Sequence, residues 1–481
     1  MTISPARDKF SQLEQWLYSP ASAGKPLDTV EKAVETNGRE LLRCALQEHV
    51  QKRGDGDVGD AITAQAPEEP SHILDRKRLD TRTLLTLLGP VLIRRMGYYA
   101  EDQQAIHPLD EQMQLPRRCY SYELQRRVVK MAVLGPFDEA ADIAFDTMGL
   151  RLPKRSIEEM LVDACFDFDD FYATRSLQRT GDDDPVVVAA IDCKGIPMVK
   201  TELVDQPVRR GRGQKAQKKK MATVAAVFTQ QRFVRTPQQV IESLFRCANN
   251  ADEKRHHEPR CHDKRVWASL IAGKDAFIAD AVREVIRRNP RADKQVVAVT
   301  DGERALQIRI TRYMKKIILI LDLAHVLEKL WIAAHVFHVE GSPEAQQFVR
   351  DRAIVVLNGN VGQVVKGFRL MTKKRPIKGL KRKTILGVCE YLYRNRSRMK
   401  YNVYMQKGLP IASGAVEGAC KNLIKDRMER SGMRWTKRMA EAMVKMRALY
   451  LSGDLDEYWK FHIEKEQARL YISKWKVLNI K

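Results

Sequence analysis

Short runs of apolar residues, each reaching an acidic residue, mark the middle of the chain. VVVAAIDCKG contains Asp192, QVVAVTDGE contains Asp301, and IILILD ends at Asp322. The runs are rich in Val or Ile and too short for a typical helix, which indicates buried strands of the parallel type. We therefore predict that Asp192 and Asp301 each lie at the C-terminal end of a strand.

The order of these runs predicts an α/β fold. Residues 186–203 are expected to form a strand, a turn at a glycine and a second strand, and MATVAAVFTQQRFV is expected to form a third. The segment that starts WASLIAG predicts a helix, after which strands and helices alternate. A three-stranded meander followed by this alternation is typical of an RNase H-like mixed-sheet core. Residues 340–410 show helical periodicity and no strand pattern, so they predict an all-α insertion into that core.

The segments before the core have mainly helical patterns and are the predicted N-terminal DNA-binding region. Gly149 at a break and Ser156 as a candidate N-cap fit a helix-turn-helix, and an ordinary pair of packed helices fits equally well. In chain order the predicted regions are a helical segment at 1–50, a linker at 51–72, a small region at 73–119 with a hairpin around Gly89 and Pro90, a helical domain with the possible helix-turn-helix at 120–180, the first part of the core at 185–339, the all-α insertion at 340–410, and the C-terminal helices of the core at 411–481.

The composition adds a strong positive charge. The 481 residues include 84 Lys and Arg against 61 Asp and Glu, for a formal net charge of +23. A polyanionic partner is expected, because cationic side chains neutralise phosphates and release counterions. No apolar stretch is long enough to cross a bilayer, and the first residues lack the apolar region of a signal peptide. We therefore expect a cytoplasmic, nucleoid-associated protein with no membrane partner, whose cysteines stay reduced.

A third acidic residue completes a candidate metal site. Glu417 lies in the late helical segment SGAVEGACKNLIKDRMERSGMRW, at the border of an apolar stripe that allows it to face the sheet. Carboxylates are preferred ligands of Mg²⁺ and Mn²⁺, and a pair of such ions stabilises the attacking and leaving oxygens in phosphodiester chemistry. Asp192, Asp301 and Glu417 are the predicted ligands of two Mg²⁺ (or Mn²⁺) ions. Taken singly, each has an ordinary interpretation as a turn or helix-end residue.

Four motifs form a recognisable combination: IDCKG, TDGERAL, LDLAHVLEKLW and SGAVEGACKNLIKDRMERSGMRWTKRMAEAMVKMRALYLSG. Together they resemble the DDE-type transposases of bacterial insertion sequences, particularly the Kra branch. The resemblance covers most of the chain and implies that Asp192, Asp301 and Glu417 are its three catalytic acids. It also implies a role for His325, because Asp322-Leu-Ala-His325 matches a signature of the broader group. Asp322 competes with Asp301 for the second position, and Asp301 is preferred because a glycine and a helix follow it.

This resemblance implies a transposase that binds the ends of an insertion sequence, cleaves DNA with metal ions and transfers the freed 3′-hydroxyl to a target. The implied partners are double-stranded DNA, at the transposon ends and the target, and further copies of the chain in a homodimer or higher assembly. Two other interpretations stay open. One is an RNase H-like nuclease or resolvase without strand transfer, and the other is a non-catalytic DNA-binding regulator derived from a transposase.

Two basic segments are the predicted DNA contacts. For the loop PVRRGRGQKAQKKK the alternative is a solvated flexible segment, and for Trp435 the alternative to stacking on a flipped base is burial against the sheet. The tyrosines of CEYLYRNRSRMKYNVY are interpreted as core aromatics, with base stacking as the alternative. HHEPRCHDK lacks a standard zinc-ligand spacing and is expected to be a polar loop. The predicted DNA-contacting residues are Arg209, Arg210, Arg212, Lys215, Lys218, Lys219, Lys220, Arg427, Arg430, Arg434 and Trp435.

Overall fold

In the computed structural model, the chain folds into two compact units. Unit 1 comprises Met1–Ala173 and Leu455–Lys481, and unit 2 comprises Thr174–Asp454. The residues that the structure describes are 4–65, 67–68, 70–176, 183–203, 218–245, 259–314, 316–375, 377–412, 414–430 and 432–478, without the side chains of 415–417.

Unit 1 combines helices with two small antiparallel sheets. Strands β3 and β4 pair as a hairpin whose innermost pair is Thr86 with Gly89. The first part of the unit contains α1 (Pro5–Leu17), α2 (Pro20–Ala23), α3 (Leu27–Lys52), β1 (Ala61–Gln65), β2 (His72–Leu74), β3 (Arg76–Thr86), β4 (Gly89–Tyr99), α4 (Pro108–Gln112), α5 (Tyr122–Leu134), α6 (Phe137–Met148), α7 (Lys154–Ala164) and α8 (Phe168–Thr174).

The helix pair α6 and α7 differs in detail from the predicted helix-turn-helix. Gly149 caps α6 in the left-handed conformation, with φ 66°, which a glycine adopts without strain. Helix α7 begins at Lys154, directly after Pro153, so Ser156 lies in its first turn instead of at its N-cap. Proline suits this position because its fixed φ fits the start of a helix and it has no N–H to leave unpaired. DNA binding by this pair remains a prediction.

Unit 2 contains the predicted core and the helical insertion. Two short 3₁₀ turns occur at Lys200–Leu203 and Arg396–Arg398, and Cys420–Lys425 forms a π-helical turn. The other elements are β5 (Val186–Pro197), β6 (Lys219–Gln230), α9 (Pro237–Leu244), β7 (His262–Ser269), α10 (Lys274–Arg288), β8 (Gln295–Thr300), α11 (Arg304–Tyr313), β9 (Ile318–Leu321), α12 (Leu323–Phe337), α13 (Pro343–Leu357), α14 (Val361–Lys374), α15 (Gly379–Asn395), α16 (Tyr401–Gln406), α17 (Gly414–Ala419), α18 (Asp426–Met428) and α19 (Lys437–Ser452).

The last elements of the chain belong to unit 1, which differs from the predicted extent of the core over 411–481. They are α20 (Leu455–Leu470) and β10 (Lys474–Leu478), and β10 pairs antiparallel with β1 in a sheet of order β10-β1-β2. On α20, the ring of Tyr458 packs edge-on against Phe171, with 5.4 Å between the ring centroids. The predicted linker at 51–72 also differs, because it contains β1, where Ala61 and Ile62 are fully buried.

The sheet of unit 2 is mixed, and its strand order is β7-β6-β5-β8-β9. The first three strands along the chain, β5, β6 and β7, pair antiparallel. Strands β8 and β9 add in parallel on the other side of β5, and each reaches its place through a helical connection, as parallel neighbours require. The predicted meander followed by strand–helix alternation is therefore present as a mixed α/β sheet.

Two of the predicted strand assignments in this sheet are wrong. Residues 186–197 form one continuous strand instead of a strand, a turn and a second strand, because β5 stays paired with β6 through Gly195 and as far as Pro197. The third strand is β7, whose Trp267 and Ala268 are buried, although WASLIAG had predicted the start of a helix. Helix α10 begins only at Lys274.

The helical insertion shares a hydrophobic core with the sheet. Among the described residues of 340–410, the regular elements are helices. Phe348, Phe368 and Leu392 from the insertion are buried in the same cluster as Val299 and Ile320 from the strands. The insertion is therefore packed against the sheet through this shared core. In the part of the chain that the structure describes, no helix has the length and apolar character that crossing a membrane would require.

Candidate active site

Asp192 and Asp301 occupy matching positions on neighbouring strands. Strands β5 and β8 are parallel, and their last paired residues are Ile191 and Thr300, so the two acids follow at the next position on each strand. Asp301 comes directly after β8, as predicted. Asp192 does not end its strand as predicted, because β5 continues along β6, where Asp192 is opposite Val224. The parallel register brings the two carboxylates to one edge of the sheet.

The charge of one carboxylate affects the other. Burial raises the pKa of Asp301, and the negative charge of Asp192 raises it further. Two interactions act in the opposite direction: the backbone N–H of Glu303 donates to Asp301 Oδ1 at 2.9 Å, and His325 is close enough to favour the ionised form. Two like charges are thus held near one another in a half-buried site, which is the electrostatic condition that a bound cation relieves.

Asp192 is held at both of its carboxylate oxygens. Oδ1 accepts a hydrogen bond from the backbone N–H of Cys193 at 2.7 Å, and Oδ2 accepts one from the thiol of Cys420 at 3.4 Å. Burial and the charge of Asp192 raise the pKa of the Cys420 thiol, which keeps it a donor. Lys194, two residues along β5, shares this face of the strand because side chains alternate. Sequence reasoning singled out neither Lys194 nor Cys420.

For Glu417, the structure describes the position of the backbone only. It lies in α17, which rests against β5 and β6, and its side chain is outside the described part of the structure. Cys420 follows it by three residues, about one helical turn along the chain. Because the thiol of Cys420 reaches Asp192, the helix segment that carries Glu417 passes beside the first acid.

Asp322 occupies the equivalent position on the next strand. Its backbone N–H donates to Thr300 O at 2.9 Å, and its carboxylate caps α12 by accepting from the N–H of Ala324 at 2.9 Å. The residue is only 4% exposed, whereas Asp301 is half-buried at the mouth of the same edge. The choice of Asp301 over Asp322 as the second acid stays a prediction. His325 lies one turn into α12, half-buried, with Nδ1 3.6 Å from Glu328.

Tyr391 of α15 covers the turn that follows Asp301. A Cβ added to Gly302 would overlap with Cε2 of this tyrosine and lie 2.7 Å from its hydroxyl oxygen. Burial raises the pKa of Tyr391 to about 12, and the neighbouring charges of Asp301, Glu328 and Asp322 contribute. The sequence pattern predicts this tyrosine to be a core aromatic. The glycine after Asp301 was the available signal, because it permits this close approach.

The predicted DNA-contacting residues fall into three groups. Arg209, Arg210, Arg212 and Lys215 lie outside the described residues. Lys218 and Lys219 are exposed and Lys220 is half-buried, and Lys219 pairs with Glu429 at 2.8 Å. Arg430 and Arg434 are exposed.

Arg427 and Trp435 are corrections to the predicted set. Arg427 is 0% exposed and Trp435 is 4% exposed, so neither side chain has surface to offer to DNA in this structure. The Trp435 indole donates to Met428 O at 3.0 Å, and the Arg427 guanidinium lies 5.1 Å from the centre of the Trp435 ring. Trp435 also contacts the end of β5, because its backbone N–H donates to the backbone oxygen of Pro197 at 3.1 Å. These two residues tie the C-terminal segment to the sheet.

Two further predictions concerned metal binding at the acids and in the segment HHEPRCHDK. Among the side chains that the structure describes, no group of three or more His, Cys, Asp or Glu residues is gathered as for a metal ion. The Glu417 side chain is not among them. Of the segment HHEPRCHDK, His256 and His257 lie outside the described residues, and His262 begins β7 with Nδ1 2.8 Å from the buried carboxylate of Asp184.

Three comparisons with known proteins were informative to different degrees. No family model matches it. No curated protein matches it either. Among solved structures, the Drosophila P element transposase strand transfer complex aligns over 73% of this chain and 82% of that chain, with 11% sequence identity and a TM-score of 0.25. A TM-score at that level does not establish a shared fold.

Proposed function

We propose that this chain is a DDE-type transposase that cleaves DNA in a metal-dependent reaction and transfers the freed 3′-hydroxyl to a target. The observation that carries the proposal is the register of β5 and β8, which sets Asp192 and Asp301 side by side at one edge of the sheet. The contact between Cys420 and Asp192 supports the third member, because it draws the helix of Glu417 to the same edge. The sequence resemblance assigns the same three acids.

The fold proposed for the catalytic unit is RNase H-like. Support comes from the strand order β7-β6-β5-β8-β9, with three antiparallel strands followed by two parallel ones. In this arrangement the central strand β5 carries the first acid and its parallel neighbour β8 carries the second. The helical insertion between α12 and α17 covers one side of that edge and brings Tyr391 to it.

The donor set fits hard divalent cations. Asp192 and Asp301 offer carboxylate oxygens, and the raised pKa of Asp301 reflects burial and an unrelieved repulsion with Asp192. Asp192, Asp301 and Glu417 are the residues that would hold two Mg²⁺ (or Mn²⁺) ions. Such ions, when bound, polarise the scissile phosphate and stabilise the charge on the attacking and leaving oxygens.

The remaining residues of the site position DNA and protons. His325, half-buried beside Asp301, is suited to contact a phosphate oxygen or orient the nucleophile. The exposed Lys218, Arg430 and Arg434 supply cationic surface for the DNA backbone. Asp322 keeps a structural role as the cap of α12. A homodimer or higher assembly on double-stranded DNA is proposed from the reaction, which joins two ends to one target.

The test uses a supercoiled plasmid that carries the reading frame together with its natural flanking DNA. In Mg²⁺ or Mn²⁺, the full chain is expected to nick this plasmid and to yield products in which element ends are joined to new sites. Asp192→Asn is expected to lower nicking at least about 100-fold, because it removes a ligand charge while keeping the shape.

The matched control for that test is Asp293→Asn, an exposed acid paired with Arg291. It should cleave as the unaltered chain does. Nicking without joined products would identify a nuclease or resolvase, and sequence-specific binding without nicking would identify a regulator. Either outcome overturns the proposal, as does full activity in Asp192→Asn.

A further inference from the structure

Cys420 is a buried cysteine whose thiol points at the first candidate acid. Its Sγ lies 3.4 Å from Asp192 Oδ2, and the residue is 6% exposed. The other oxygen, Oδ1, is fixed by the N–H of Cys193 at 2.7 Å. One oxygen of the carboxylate is thus held by the backbone of β5, and the other is held by a side chain from the helix segment of Glu417.

The local helix geometry at Cys420 is unusual. Cys420–Lys425 is a π-helical turn set between α17 and α18, and Cys420, Leu423 and Ile424 are all buried in it. A π turn accommodates one extra residue in a helix, and such turns are frequent at functional sites. This turn rests against β5. The thiol therefore lies where the helix is widened beside the strand that carries Asp192.

We propose that Cys420 is a positioning residue for the metal-binding carboxylate of Asp192, an inference that rests on the function proposed above. A hydrogen bond to a ligating carboxylate fixes its rotation and hence the lone pairs that face the ion. Carboxylate oxygens have two lone pairs each, so Oδ2 can accept from the thiol and still ligate. The same hydrogen bond links β5 to the helix of Glu417. It therefore sets the spacing between Asp192 and the backbone that carries Glu417.

A cysteine that only filled space would respond differently to substitution. Alanine would then be the milder replacement, because serine places a hydroxyl in a buried position where an unsatisfied polar group is costly. If Cys420 positions Asp192, serine is instead the milder replacement and alanine the more damaging one. Serine keeps an O–H that can donate to Asp192 Oδ2, whereas alanine leaves that oxygen without its donor.

The first test measures nicking of the same supercoiled plasmid while the Mg²⁺ concentration is varied. Cys420→Ala is expected to raise the Mg²⁺ concentration for half-maximal nicking about tenfold, the lower end of the effect of such supporting hydrogen bonds. Cys420→Ser is expected to stay near the unaltered chain. A metal requirement for the alanine variant equal to or below that of the serine variant overturns the proposal.

Cys389 supplies the matched controls. It is 1% exposed in α15, and its thiol lies 3.9 Å from the backbone oxygen of Val365. Cys389→Ala and Cys389→Ser should leave the Mg²⁺ requirement unchanged. If Cys420→Ala does not fold, Cys420→Val replaces it, because valine preserves apolar volume and lacks a donor.

A second test does not depend on DNA cleavage. Denaturant unfolding of Cys420→Ala, Asp192→Ala and the double variant is expected to show changes in the free energy of unfolding that do not add, because the two side chains contact each other. Additive changes would overturn the contact. If the unaltered chain does not cleave the plasmid, the proposed function fails, while the unfolding cycle still decides whether Cys420 holds Asp192.

Discussion

Asp301 lies where its negative charge is unfavourable. Burial and the charge of Asp192 raise the pKa of its carboxyl, and the hydrogen bond from the Glu303 N–H offsets only part of this effect. An acid whose pKa is raised by folding destabilises the folded state wherever it is ionised. Residues of this kind are concentrated at functional sites, where a bound cation or proton makes the arrangement favourable.

Asp301→Asn is therefore expected to raise the melting temperature near neutral pH, because the amide carries no charge to repel Asp192. The penalty in the unaltered chain is fully present above the folded pKa and disappears below the unfolded value of about 3.9. The advantage of the variant should accordingly shrink as the pH falls towards about 4. Calorimetric melting across this pH range measures it, with Asp293→Asn as the control that shows no gain. A variant less stable than the unaltered chain at neutral pH contradicts the interpretation.

At this scale the sequence predicted the two strand-borne acids, because each ends or interrupts a short apolar run that only a buried strand explains. The sequence could not predict that Arg427 and Trp435 are buried. Cationic and aromatic residue types suggest DNA contact, but their burial depends on contacts with Met428 and the end of β5 that no local pattern encodes. Tyr391 was missed for the same reason, since its neighbour Gly302 is distant in sequence.

At the scale of elements, the contact between α15 and the turn after β8 links the helical insertion to the candidate site. Tyr391 of α15 lies directly on Gly302, and Lys329 of α12 is 5.4 Å from the centre of its ring. A side chain at position 302 has no room while the tyrosine is in place. The insertion thus fixes the backbone that presents Asp301.

Gly302→Ala is expected to destabilise the folded chain by about 1–3 kcal/mol, the usual cost of forcing an extra carbon into a packed contact. Nicking should fall as well, because the turn that holds Asp301 must shift. The double variant Gly302→Ala with Tyr391→Ala opens space for the new carbon and should recover part of the lost stability relative to the sum of the single changes. Denaturant unfolding measures both effects, and a neutral Gly302→Ala would refute the contact.

The order of elements in the sheet was predictable, and their bounds were less so. The alternation after β7 follows from apolar runs separated by amphipathic segments. Strand β7 was assigned partly to a loop and partly to a helix, because its apolar residues run directly into the pattern of α10. Its strand conformation results from pairing with β6, a tertiary contact that outweighs the local helical tendency.

On the scale of the whole molecule, the formal charge of +23 is the dominant property. Exposed cations such as Lys218, Arg430 and Arg434 belong to the same unit as the candidate site. Charge of this size favours fast, salt-sensitive association with nucleic acid. The composition predicted the partner class, whereas the surface that meets DNA depends on which cations the fold leaves exposed.

Arg434→Ala is expected to weaken binding to a duplex from the flanking DNA and to flatten its salt dependence. Each lost phosphate contact lowers the slope of log K against log salt by about 0.9. Fluorescence anisotropy at several salt concentrations measures this slope. Arg291→Ala is the control, because Arg291 is exposed and precedes β8, at the opposite end of that strand from Asp301. An unchanged slope in Arg434→Ala would remove this residue from the interface.

The pairing of β1 with β10 has a consequence for synthesis in the cell. These strands lie more than 400 residues apart in sequence, yet Ala61 is opposite Leu478 and Gln65 is opposite Lys474. While the ribosome is still translating, β1 has β2 on one side and an open hydrogen-bonding edge on the other, and open edges invite association with other chains. Polypeptides truncated before β10 keep that edge open, so they are expected to associate with other chains more readily than polypeptides that include β10.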